Sequence, residues 1–115
     1  MNADGHLKKA QEIYENIVIL REHGDEARAA SSIVELAYGC AFHYLAYGCA
    51  QKYERHIDTH VGLSKLLVTM GADTMATTFR ELDTLRQGGW YGGKGNGETI
   101  TQVLKLLENI IRWIT

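Results

Sequence analysis

Apolar residues recur every three or four positions along most of this chain. That is the period of a helix with one buried face, and no stretch shows the strict alternation of a half-buried strand. Four long helical segments follow from the pattern. The first runs from about His6 to Glu22, with Asp4 as a candidate N-cap and Leu7, Ala10, Tyr14, Ile17 and Val18 on one face. His23-Gly24-Asp25 interrupts it, Gly24 standing where a helix ends and Asp25 where the next could be capped. The second runs from about Glu26 to Ile57 through Ala29, Ile33, Leu36, Ala37, Cys40, Tyr44 and Tyr47. It is apolar on nearly every side from Ala37 to Ala50, so it needs neighbours all round and is the expected central helix.

Asp58 to Gly62 reads as a bend. A third helical region runs from about Leu63 to Gln87 and breaks near Gly71-Ala72-Asp73, which leaves room for a short extra helix near 61–71. Met75, Phe79, Leu82 and Leu85 mark its later apolar face. The last helix, about Glu98 to Ile114, carries the stripe Ile100, Val103, Leu104, Leu107, Ile110, Ile111 and Ile114, with Thr99 and Gln102 at capping-box spacing. Amphipathic helices with short connections bury their stripes against one another. The expected fold is all-α, an antiparallel up-and-down four-helix bundle forming a single domain over 1–115. The wide last stripe and the second helix, apolar beyond one face, together offer more apolar surface than one small bundle covers, so a homodimer is expected.

Glycine sharpens this picture. The central helix repeats Ala37-Tyr38-Gly39-Cys40-Ala41 as Ala46-Tyr47-Gly48-Cys49-Ala50. An offset of nine residues turns about 180° around a helix, so the copies face opposite neighbours, and small residues there suit close helix packing. Six of the twelve glycines lie in Gly88–Gly97, too many for a regular helix. Gly88 to Lys94 fits the spacing of a phosphate-binding loop. However, Gly95 stands where a hydroxyl should ligate magnesium, and no strand precedes it. The segment still gathers Arg86, Trp90, Tyr91 and Lys94, charges and aromatic faces of the kind that hold a nucleotide.

With 115 residues and a net charge of −2, the chain is not a strongly basic nucleic-acid binder. No apolar run approaches the ~18 residues of a membrane span, and the polar start Met1–Lys9 lacks a secretory signal core, so a cytoplasmic protein is expected. Cys40 and Cys49 face opposite sides of one helix and read as small core residues. His56, Asp58 and His60 have ligand chemistry but no evident companion ligand, so neither metal nor cofactor is expected. His43, in the apolar stretch of the central helix, reads as a hydrogen-bonded core histidine rather than a base.

The order of features resembles the HEPN family of small prokaryotic helical proteins. The carriers are His60-Val61-Gly62-Leu63 after the long helix, and Leu82-Asp83-Thr84-Leu85-Arg86 running into Trp90-Tyr91-Gly92, followed by a closing amphipathic helix. The resemblance spans about Asp4 to Ile114. It implies a dimeric helical bundle, often paired with a minimal nucleotidyltransferase in a toxin–antitoxin system. Many members are metal-independent ribonucleases whose arginine is followed four to six residues later by a histidine. After Arg86 no histidine falls in that window, Tyr91 stands there instead, and none of Arg21, Arg28, Arg55, Arg80 or Arg112 is expected to supply the spacing. Tyrosine is a poor base near neutral pH. The expected function is therefore a non-catalytic nucleotide- or RNA-binding partner module. The alternatives are a divergent ribonuclease joining Arg86 to His60 or His43 through the fold, and a structural interaction module.

Overall fold

The structure, a computed structural model, describes residues 1–24, 26–88 and 96–115, without the side chains of 26–28 and 96. It is all helical over these residues, with α1 (Ala3–His23), α2 (Glu26–Tyr53), α3 (His60–Thr69), α4 (Asp73–Arg86) and α5 (Asn96–Ile114). The third helical region is thus two helices. The extra helix expected near 61–71 is α3, and Gly71, in the left-handed region at φ 79°, turns the chain into α4. The bend expected over Asp58–Gly62 is shorter, because α3 already starts at His60.

Caps account for the other shifted boundaries. Asn2 rather than Asp4 caps α1: its side-chain oxygen accepts from the Gly5 amide at 2.8 Å, leaving Asp4 in the first turn, where a negative charge suits the helix dipole. Gly24 ends α1 in extended backbone. Tyr53 ends α2 four residues short of the expected Ile57, and Glu54 takes the left-handed conformation at φ 54°. The Glu54 amide donates back to the Ala50 carbonyl at 3.1 Å, which closes a left-handed helix cap without glycine. Thr59 caps α3, its hydroxyl accepting from the Gly62 amide at 3.0 Å. A Cβ on Gly62 would lie 2.6 Å from that hydroxyl, which explains glycine at this position. The Thr99–Gln102 pair is no capping box: α5 begins at Asn96, and Thr99 is buried inside it.

The helix apolar on all sides is the one with neighbours on all sides, since α2 packs against α1, α3, α4 and α5. α1 runs antiparallel to it, His6 meeting His43 and Ala10 accepting a bond from the Cys40 thiol. At the far end of α2, Gly48 lies under the end of α5. A Cβ there would sit 2.8 Å from Ile114 and closer still to the Trp113 ring. Gly39, on the opposite face, is under no such constraint, because a Cβ would meet only Ile13 at an ordinary 3.8 Å. Close packing thus explains one glycine of the repeat and not the other. Ile33, Leu45, Leu63, Leu67, Leu82, Ile100 and Leu107 fill the core between the helices.

Candidate functional site

Four of the five histidines come together where the start of α1, the middle of α2, the 54–59 link and the start of α3 meet. Asp58 lies between two of them. Its carboxylate accepts from His6 Nε2 at 3.0 Å and from His56 Nε2 at 2.9 Å. The other nitrogen of His6, Nδ1, faces His43 Nδ1 at 2.8 Å, and His6 is only 2% exposed. Burial, with His6, Lys9 and His60 adding positive field, pushes His43 down to about 4 against the pull of Asp58.

Two proton arrangements satisfy these contacts. A carboxylate only accepts, so His6 Nε2 carries a proton in both. Either His6 also donates from Nδ1 to neutral His43 and bears the charge opposite Asp58, or His43 donates and His6 is neutral.

Asp58 itself is exposed. Its residual burial raises its pKa, but bonds from the N-terminal ammonium and His56 outweigh that and hold it below the usual carboxylate value. Of the trio His56, Asp58 and His60, the first two stay together and His60 turns away. His56 precedes α3 and turns to Asp58, whereas His60 turns to Tyr38, so the two do not share one helix face. Among the described residues no three His, Cys, Asp or Glu side chains are placed to hold a metal ion.

A second arrangement begins at His60 and ends at Arg86. Tyr38 Oη is hydrogen bonded to His60 Nδ1 at 3.0 Å. Its ring stacks on Phe79 with centroids 4.9 Å apart, and the Arg86 guanidinium lies 4.4 Å from its centroid. Asp83, one turn before Arg86, accepts from Arg86 Nη2 at 2.7 Å and Nε at 3.2 Å, and its other oxygen accepts from Gln87 at 3.0 Å. Burial pushes the Tyr38 phenol up and Asp83 adds to this, against Arg86. The hydrogen bond to Asp83 raises Arg86 further, so it remains a fixed cation. A single phenol therefore joins the arginine to a histidine 26 positions away in sequence.

Beside this pair, α3 and α4 enclose a groove of about 610 Å³. Its size is within the roughly 300–1,000 Å³ of small-molecule sites. Tyr38 and Phe79 lie at its base, and Lys65 and Arg80 border it.

Of the expected ligand residues, Arg86 has this defined setting; Trp90, Tyr91 and Lys94 lie outside the described residues. Of the candidate catalytic residues, His60 joins Arg86 through Tyr38, and His43 belongs to the Asp58 cluster. Both cysteine thiols are inert, since burial pushes Cys40 up to about 12 and Cys49 to about 11. Tyr38, Asp83, Lys65 and Arg80 did not stand out in the sequence, although the Asp83–Arg86 spacing is that of a helical ion pair. The expectation that no arginine other than Arg86 could supply the ribonuclease spacing is wrong for Arg55, which precedes His60 by five positions. Comparison with family models, curated proteins and solved structures gave no match.

Proposed function

We propose that this chain is a non-catalytic nucleotide- or RNA-binding partner module of the HEPN type, acting as a homodimer beside a nucleotidyltransferase-like protein. The observation that carries this reading is the setting of Arg86. Its guanidinium is fixed by Asp83 and Tyr38, both of which line a groove bordered by two further cations. A pre-oriented guanidinium binds phosphate oxygens with less ordering cost than a free one. The family and the partner rest on the motif order around His60-Val61-Gly62 and Leu82–Arg86.

A metal-independent ribonuclease is the second reading. It is favoured by the Arg55–His60 spacing, which falls in the four-to-six window of the HEPN ribonucleases, and by the phenol joining His60 to Arg86. Histidine suits proton transfer near neutral pH, and arginine stabilises phosphoryl charge.

One titration separates the two. A fluorescent RNA oligomer and a fluorescent mononucleotide are titrated into wild type and Arg86→Ala, in EDTA, with the RNA checked for cleavage. The module reading expects at least one ligand to bind, about tenfold weaker to the variant, with the RNA intact. Cleavage that His60→Ala abolishes would establish the ribonuclease. Absence of binding and of cleavage would leave an interaction module.

A further inference from the structure

We propose that the groove between α3 and α4 is a mononucleotide site, with Lys65 and Arg80 holding the phosphate. This rests on the nucleotide-binding reading and deepens it by naming the ligand and the residues that meet it. Each helix presents one face. Ser64, Lys65, Val68 and Thr69 come from α3, at helical spacing, and Ala76, Phe79, Arg80 and Asp83 come from α4 in the same way. Each wall therefore contributes one cation to a groove that also has apolar lining.

Charge decides what such a groove takes. Lys65 and Arg80 are exposed, and among the described residues neither forms an ion pair. The one carboxylate in the lining, Asp83, is neutralised by Arg86 and also accepts from the Gln87 amide. The groove thus carries two uncompensated positive charges, the match for one phosphate monoester dianion. Val68, Ala76 and the edges of Tyr38 and Phe79 give an apolar surface for a flat base. The Ser64 and Thr69 hydroxyls, which have no partner among the described residues, can meet ribose hydroxyls.

A long RNA asks for more. Its affinity comes from many cations neutralising successive phosphates, which a chain of net charge −2 with two free cations in this groove does not offer. The apolar base suits a nucleoside rather than free phosphate, and the cations suit a nucleotide rather than a nucleoside.

The test is calorimetric titration of the full chain with AMP, adenosine and inorganic phosphate, repeated on Lys65→Ala and Arg80→Ala. Both residues are exposed, so the variants should keep wild-type helicity by circular dichroism. The expected result is AMP binding, with adenosine and phosphate each weaker, and about a tenfold loss in each variant. The loss should shrink as salt rises, because salt screens contacts between exposed charges. AMP binding that Arg86→Ala weakens but Lys65→Ala and Arg80→Ala leave unchanged would overturn the groove while sparing the nucleotide reading. No AMP binding with retained binding of an RNA oligomer would also overturn the groove. No binding of either would overturn both.

Discussion

Gly48 and His43 show how single residues set local behaviour. The Gly48→Ala methyl would enter space already filled by Trp113 and Ile114. We expect it to destabilise the fold by about 1–3 kcal/mol, despite the better helix propensity of alanine. Gly39→Ala, with open space, should be neutral or stabilising, and urea unfolding of the two variants compares them directly. His43 governs acid stability. Its folded value of about 4 lies below its ordinary 6.5, so between those values the unfolded chain binds more protons. Stability should therefore fall as pH drops through that window, and the depressed Asp58 adds a loss of the same sign at lower pH. His43→Gln should flatten the dependence between pH 6.5 and 4 in urea melts. An unchanged slope would show that His43 is not the group responsible.

At the scale of elements, the helical period placed all the long helices, and the all-round apolar character of Ala37–Ala50 correctly marked α2 as central. What periodicity could not give was the ends. Glu54 closes a left-handed cap where glycine is the usual residue, and the Thr59 cap starts α3 inside an apparent bend. The functional groups were legible to different degrees. Arg86 stood out beside its glycine-rich neighbours, and its Asp83 partner follows helix spacing. The histidine cluster is invisible in one dimension, because His6, His43 and Asp58 meet only when α1, α2 and the link dock. The same holds for the groove, whose two walls meet across the Gly71 turn. Leu67 anchors α3 in the core and is fully buried. We expect Leu67→Ala to cost about 2–5 kcal/mol in urea unfolding. It should also weaken mononucleotide binding by loosening one wall of the groove.

For the whole molecule, the proposed function is nucleotide binding on the side where α3, α4 and Arg86 meet. A net charge of −2 suits the proposed local phosphate contact better than an extended one. No helix among the described residues is long and apolar enough to cross a membrane. The most direct measurement is a ¹H–¹⁵N spectrum of the labelled full chain followed through an AMP titration. Saturable shifts should appear over residues 64–69 and 76–86, with the Arg86 side chain among them. Absence of shifts at millimolar AMP, or shifts confined to the far faces of α1 and α5, would contradict the claim.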